Sequence, residues 1–184
     1  MSLVTMFHIS GGVIGMMDPL HSWTSHTIKA ARLRSQGYRK DPIARPIHRI
    51  FIGDAERLNE EFMKVHNITH VVNCAFPEDC PISLPANRYR CIGAIDSPTE
   101  DFTKWYPLFK DTMNTFLQDP TCKNVYVHCQ CGINRSVVLT LAYLIKVFRM
   151  PYMKLISHVA SQRPCVLTNS VFVKQLIDFA KKAD

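Results

Sequence analysis

A short turn between two apolar runs gathers the residues of this chain that could do covalent chemistry. The stretch VYVHCQCGINRSVVLTLAYLI, residues 125–145, places Cys129, Gly132 and Arg135 between a β-branched run and an apolar run. If the second run is a helix, its amino end presents unpaired N–H groups and about +0.5 of a charge, which favour an anion. Gly132 permits a tight backbone around that anion, and Arg135 could clamp two of its oxygens. Cys129 would then face the anion as a thiolate, so the pattern predicts a nucleophile for phosphoryl transfer.

Other uses of these residues have to be weighed. Cys129 and Cys131 could be small buried hydrophobic residues, which is the commonest fate of a free cysteine. Together with His128 they could begin a zinc site, but structural zinc usually takes paired ligands from two places, and the other cysteines stand singly. A nucleotide-binding loop is excluded, because no Gly-Lys-Ser/Thr follows the glycine. We therefore predict no metal and no cofactor.

The length and composition restrict the class of protein. A chain of 184 residues with 47% hydrophobic and 20% charged residues suits one soluble domain, at most with a terminal arm. Its seven cysteines have no regular spacing, and its start lacks the basic segment of a secretory signal. No apolar run is long enough for a membrane span. We expect reduced thiols and a cytoplasmic protein, with the nucleus also open.

Positive charge is concentrated before the predicted domain. Residues 1–46 are interpreted as an N-terminal basic arm, with a possible short basic helix at residues 26–34. The block from Lys29 to Arg49 carries seven basic residues and one acid, Asp41. Such a block could dock an acidic partner or act as a dimer arm, or it could be a solvated lead-in. The oligomeric state does not follow from the sequence.

Strand and helix patterns alternate along the rest of the chain. Strands are predicted at residues 49–53, 68–75, 88–95 and 124–129, and helices at 54–65, 103–118, 135–148, 152–161 and 170–182. The apolar strands lack a solvent face, which indicates an α/β fold with a central, mostly parallel sheet flanked by helices. Ligands bind beyond the carboxyl ends of such strands, which is where Cys129 would lie.

The loop HCQCGINRS resembles the Cys-x5-Arg signature of cysteine-based protein phosphatases, and its details point to the small, atypical dual-specificity branch. IFIGDAERLN is similar to the early strand and helix of that family, and ITHVVNCA is similar to its second strand. AIDSP followed by FTKWYPLF resembles its acid loop, and SQRPCVLTNSVFVKQLIDF resembles its closing segment. The resemblance implies a dual-specificity phosphatase-like catalytic domain over residues 47–184.

The resemblance also implies roles for the loop. Cys129 would form a phosphocysteine, Arg135 would bind the phosphate, and Ser136 would stabilise the thiolate when it leaves. His128 would hold the loop, or would simply be a packed core histidine. Backbone amides from five further positions would bind the phosphate oxygens: Gln130, Cys131, Gly132, Ile133 and Asn134.

The leaving oxygen needs a proton from an acid on a neighbouring loop. Asp96, Glu100 and Asp101 are the candidates. Asp96 directly follows the apolar run CIGAI and so would project from the sheet edge that carries Cys129. Asp101 lies at a helix start, where capping explains an acid. The family pattern also selects Asp96, so we predict that Asp96 is the general acid and then the base.

No segment resembles the phosphotyrosine-recognition loop of the larger tyrosine-specific enzymes. A shallower pocket would admit phosphoserine and phosphothreonine, so a phosphorylated protein is the expected substrate. Two alternatives stay open. The Asn134-Arg135 pair also occurs in related RNA 5′-phosphatases, although a nucleic acid partner is not expected, and a phosphate-binding pseudophosphatase would keep the same cradle.

A few residues depart from the family pattern: Val137 after Ser136, Cys131 inside the loop, and Thr168 where many relatives have proline. None removes a group needed for the chemistry. Cys74 falls where some phosphatases of this superfamily, notably a lipid-directed one, keep a resolving cysteine. The resemblance therefore implies Cys74 as a possible redox partner of Cys129, against the simpler interpretation of a small core residue.

Overall fold

The computed structural model of the protein describes residues 42–182. Its five strands are β1 Ala44–Ile47, β2 Ile50–Asp54, β3 Ile68–Asn73, β4 Tyr89–Cys91 and β5 Asn124–Cys129. Its five α-helices are α1 Glu60–Val65, α2 Tyr106–Gln118, α3 Arg135–Phe148, α4 Tyr152–Gln162 and α5 Ser170–Lys181. Short 3-10 helices cover Pro77–Asp79 and Phe102–Lys104. The predicted helix at residues 26–34 lies outside the described residues.

The strands form one mixed sheet in the order β1-β2-β5-β3-β4. All neighbouring pairs are parallel except β1 with β2, which is antiparallel. Because β2, β3 and β5 run in the same direction, their carboxyl ends meet at one edge: Asp54 pairs with Cys129, and Asn73 with His128. The predicted α/β fold with a mostly parallel sheet is confirmed.

Helices cover the two faces of the sheet unequally. Side chains of β2 and β5 alternate between the faces, so that Ile50 and Val125 join the larger core with α2, α3, α4 and α5. Phe51 and Tyr126 point to the other face and pack with Leu58, next to α1. Helix α3 is buried along eleven of its fourteen residues, which explains why its sequence lacks a polar face.

Two predicted elements differ most from the structure, and one observed strand was not predicted. The helix expected over residues 54–65 begins only at Glu60, because the Asn59 side chain accepts the Phe62 N–H and caps the helix there. The strand expected over residues 88–95 is ordered as β only at Tyr89–Cys91, and the chain then leaves the sheet as a loop that carries Asp96. Edge strand β1 was not predicted, since its four residues lie inside the basic block Lys29–Arg49.

The predicted boundary between the N-terminal arm and the catalytic domain, at residue 47, stays a prediction, because residues 1–41 lie outside the part of the chain that the structure describes. The first strand of the sheet begins before that boundary, at Ala44. Two members of the basic block are part of the fold. Arg45 lies in β1, with its guanidinium 5.1 Å from the centroid of the Phe51 ring. Arg49 donates to the carbonyl oxygens of Leu117, Cys122 and Lys123 at 3.2, 2.7 and 3.0 Å. Docking by this block would therefore depend on its other residues.

Among the described helices, none has the length and apolar character needed to cross a bilayer.

Candidate active site

A cleft of about 700 Å³ opens at the carboxyl edge of the sheet. Its floor and one wall come from the loop between β5 and α3, and another wall comes from the segment that carries Asp96. Phe76, Glu78 and Asp79, after β3, complete the rim. The structure thus brings Asp96 to the loop that carries Cys129 and Arg135, although Asp96 lies far before that loop in sequence.

The loop after Cys129 is held in a tight turn by backbone contacts. Gly132 has a φ of +64°, a conformation that favours glycine, and a side chain there would collide with the carbonyl oxygen of Gly53. The Ala55 N–H donates to the carbonyl oxygen of Gln130 at 3.1 Å. The glycine is therefore needed both for the turn and for its close approach to β2.

A buried arginine that we did not assign to the site supports the same loop. The Arg163 side chain is fully buried and donates through Nε to the Gly132 carbonyl oxygen at 2.9 Å and through Nη2 to that of Cys131 at 2.7 Å. With these carbonyl oxygens turned toward Arg163, the loop can direct its N–H groups toward the cleft. The sequence does show an arginine between two predicted helices, just before a proline. It does not show which carbonyl oxygens that arginine binds.

Cys129 lies at the base of the cleft with 2% of its surface exposed. The Ser136 hydroxyl, in the first turn of α3, donates to Cys129 Sγ at 3.4 Å, within reach for a bond to sulfur. The thiol also lies before the amino end of a fourteen-residue helix, whose dipole favours negative charge. A hydroxyl donor and a helix amino end therefore both lie beside the Cys129 sulfur, and the roles of Cys129 and Ser136 stay predictions.

Arg135 opens α3, lines the cleft and is 9% exposed. Its Nη1 donates to the Ala94 carbonyl oxygen at 3.3 Å, while its buried Nε has no hydrogen-bond partner among the described residues. A buried donor without a partner is costly unless a ligand completes it. The guanidinium is thus anchored on one side and available to an oxyanion on the other.

The structure separates the three acid candidates. Asp96 lines the cleft, where Asn134 and Asn169 donate to its two carboxylate oxygens. Asp101 instead caps the 3-10 helix by accepting from the Thr103 N–H at 2.9 Å. The Glu100 side chain pairs with a lysine one turn later and is not part of the cleft lining. Position therefore favours Asp96 as the proton donor.

His128 is fully buried in β5. Burial lowers the pKa of His128 to about 4, so the ring is neutral at pH 7. Its Nδ1 faces the Cys129 carbonyl oxygen at 3.4 Å and must carry the proton of that contact, whereas Nε2 has no partner among the described residues. The ring stacks on Tyr126 with centroids 5.9 Å apart. These contacts fit a supporting side chain rather than a base.

Cys74 follows β3 directly beside the loop that carries the predicted nucleophile. Its N–H donates to the His128 carbonyl oxygen at 2.7 Å, and its side chain is fully buried. Burial, and next the neighbouring Cys129, raise the pKa of the Cys74 thiol well above its usual value. Cys74 is therefore a protonated thiol near Cys129, the predicted nucleophile. Within residues 42–182, no three His, Cys, Asp or Glu side chains gather in a way that could hold a metal ion.

Comparison with known proteins gives a consistent result. The family model for the dual specificity phosphatase catalytic domain matches residues 50–182. A dual specificity protein phosphatase 22 from Xenopus tropicalis is 33% identical over 135 residues, covering 72% of this chain and 62% of that protein. Dual specificity protein phosphatase 1B from Arabidopsis thaliana is 32% identical over 139 residues, covering 72% of this chain and 78% of its own length.

Solved structures show the same fold. Human DUSP28 superposes with a TM-score of 0.66 at 23% identity, covering 77% of this chain and 94% of that one. The human tyrosine phosphatase-like serine/threonine/tyrosine-interacting protein superposes with a TM-score of 0.64 at 24% identity, covering 76% and 96%. Since the family model spans well over half of the sequence, this chain belongs to the dual specificity phosphatase family of cysteine-based protein phosphatases.

Proposed function

We propose that this chain hydrolyses phosphotyrosine, phosphoserine and phosphothreonine in proteins through a phosphocysteine intermediate. The observation that carries the proposal is the placement of Cys129 at the base of the cleft, 3.4 Å from the Ser136 hydroxyl and within the same lining as Arg135 and Asp96. A nucleophile, an oxyanion clamp and an acid around one cleft are the parts that phosphoryl transfer through a covalent intermediate requires.

In the first step the Cys129 thiolate attacks phosphorus, so that an S–P bond forms as the ester P–O bond breaks. Arg135 and the N–H groups at the start of α3 bind the equatorial oxygens and the negative charge on them. Asp96 gives its proton to the leaving oxygen, which departs as the free hydroxyl of the side chain.

In the second step a water molecule attacks the phosphocysteine. The Asp96 carboxylate takes a proton from that water, the P–S bond breaks, and inorganic phosphate is released. The Ser136 hydroxyl, which donates to Cys129 Sγ, stabilises the thiolate as it leaves. The active site thus returns to its starting protonation state after each turnover.

The acidic rim favours a phosphorylated protein over RNA as the substrate. Glu78 and Asp79 line the cleft, and these side chains would repel the phosphates that follow a 5′ nucleotide. The Asn134-Arg135 pair remains the feature shared with RNA 5′-phosphatases. Comparing turnover of a phosphopeptide with that of 5′-triphosphorylated RNA separates the two functions, and preference for RNA would overturn our assignment.

The nucleophile assignment is tested by Cys129→Ser. We expect turnover of an aryl phosphate to fall below about one part in a thousand, because loss of the nucleophile disables covalent catalysis. Thermal melting and binding of a phosphopeptide serve as controls for the fold and the cradle. Activity that survives in the variant would place the nucleophile elsewhere. An unmodified protein that binds phosphopeptide without turnover would instead support the pseudophosphatase function.

The location is also a proposal. A thiolate nucleophile is maintained in a reducing compartment, so we propose that the protein acts in the cytoplasm, with the nucleus as an alternative. Fractionation of cells that express the tagged protein distinguishes these locations.

A further inference from the structure

Asparagine side chains from two different elements bind both carboxylate oxygens of Asp96. Asn134, which immediately precedes α3, donates from Nδ2 to Oδ2 at 2.9 Å. Asn169, which immediately precedes α5, donates from Nδ2 to Oδ1 at 3.1 Å. Asp96 itself lies in an exposed loop after β4, where its own segment supplies no regular secondary structure. Its position over the cleft therefore depends on these two amides.

Backbone donors fix the direction of both amides. The Asn134 side-chain oxygen accepts the Asn169 N–H at 3.0 Å. The Asn169 side-chain oxygen accepts the N–H groups of Val171 and Phe172 at 3.1 and 3.4 Å, as the cap of α5. A backbone N–H can bond only to the oxygen of a side-chain amide, so each NH₂ group must face Asp96. The start of α5 thus orients the amides that hold the carboxylate.

We propose that Asn134 and Asn169 are positioning residues that hold Asp96 where it can protonate the leaving oxygen. The inference rests on the proposed function, in which Asp96 is the acid. Two bonds from separate elements fix both the place and the tilt of the carboxylate. The charged side chains that line the cleft with Asp96 are Arg135, Glu78 and Asp79, and neither these nor Cys129 has a hydrogen bond to Asp96 in the structure.

The test is Asn169→Asp, which keeps the oxygen that caps α5, removes the NH₂ donor and places a like charge beside Asp96. Asp96 must be protonated to act as the acid, so the lost bond is one to a neutral carboxyl group, and the ratio of alkyl to activated aryl phosphate turnover should fall by about two- to tenfold. Alkyl substrates need the proton of Asp96, whereas a good leaving group needs it far less. Asn59→Asp is the matched control, because Asn59 caps α1 in the same way but away from the cleft.

A double-mutant cycle distinguishes positioning from a general structural effect. In an Asp96→Asn background, Asn169→Asp should leave the alkyl-to-aryl ratio unchanged, since there is no acid left to position. An unchanged ratio in the single variant, or an equal fall in the double variant, would overturn the inference. If Asn169→Asp does not fold, as judged by thermal melting, Asn134→Ala enters the same cycle. If Asp96→Asn alone leaves the ratio unaltered, the acid assignment of the proposed function fails as well.

Discussion

At the scale of single residues, the acid is the group whose contribution can be isolated most sharply. Asp96→Asn keeps the size of the side chain but removes the proton that the leaving oxygen needs. We expect turnover of a phosphoserine peptide to fall much more than turnover of an activated aryl phosphate, by a further factor of about 10²–10⁴, the range typical of acid catalysis. Steady-state rates on both substrates check this.

The matched control for this prediction is Asp101→Asn. Asp101 is a capping residue outside the cleft lining, so its change should alter both rates equally or not at all. If Asp96→Asn lowers the turnover of both substrates equally, Asp96 is not the acid, and Asp101 becomes the next candidate.

At the scale of elements, the contact between the ends of β3 and β5 places Cys74 beside the nucleophile. Peroxide would oxidise the Cys129 thiolate to a sulfenic acid, and the Cys74 thiol could condense with it to a disulfide and release water. We expect that a thiol reductant restores activity after mild peroxide in the parent protein, and restores much less of it in Cys74→Ser.

Cys131→Ser is the control for this redox pair, because a bridge between Cys129 and Cys131 within a tightly curved loop would be strained. Recovery in Cys74→Ser that equals recovery in the parent, with no Cys74–Cys129 peptide in mapping, would contradict the pairing.

Strand β5 also gives the fold a pH dependence through His128. The pKa of His128 is about 4 in the fold against 6.5 for an ordinary histidine, so the unfolded chain binds the extra proton between these values. Its contribution to stability is fully present above pH 6.5 and is lost as the pH falls toward 4, by about 3 kcal/mol.

Urea unfolding at pH 7 and pH 4 measures this effect. His128→Gln should lose less stability between the two pH values than the parent, whereas the exposed His48→Gln should follow the parent. Buried His70, whose pKa burial also lowers, contributes in the same direction in every variant and so cancels in the comparison. Parallel pH profiles for His128→Gln and the parent would show that His128 is not the group responsible.

At the scale of the whole molecule, the open question is the basic segment before the sheet. We predict that residues 1–40 dock an acidic protein partner or join two copies of the chain, so that their deletion lowers turnover of a protein substrate or changes the molecular mass in solution. Turnover of a small aryl phosphate should be unchanged, because the described residues that line the cleft all come later in the chain. If turnover of the protein substrate and the molecular mass in solution are also unchanged by the deletion, the segment is only a solvated lead-in.

The sequence by itself determined the chemistry and the order of the elements. Cys129, Gly132 and Arg135 have a fixed spacing on one strand–turn–helix unit, so local geometry was enough to predict an anion cradle with a nucleophile in it. The apolar character of α3 and β5 likewise predicted their burial, because hydrophobic periodicity depends only on near neighbours in sequence.

Only the tertiary structure decided which distant residues complete the site. The bonds from Arg163 to the Cys131 and Gly132 carbonyl oxygens span about thirty residues of chain, and the contact of Asn169 with Asp96 spans 73. Such contacts arise from the crossing of helices and loops over one sheet edge, and no local pattern encodes them. The same reason explains why α1 begins later than predicted: its start is set by the Asn59 cap rather than by the apolar spacing before it.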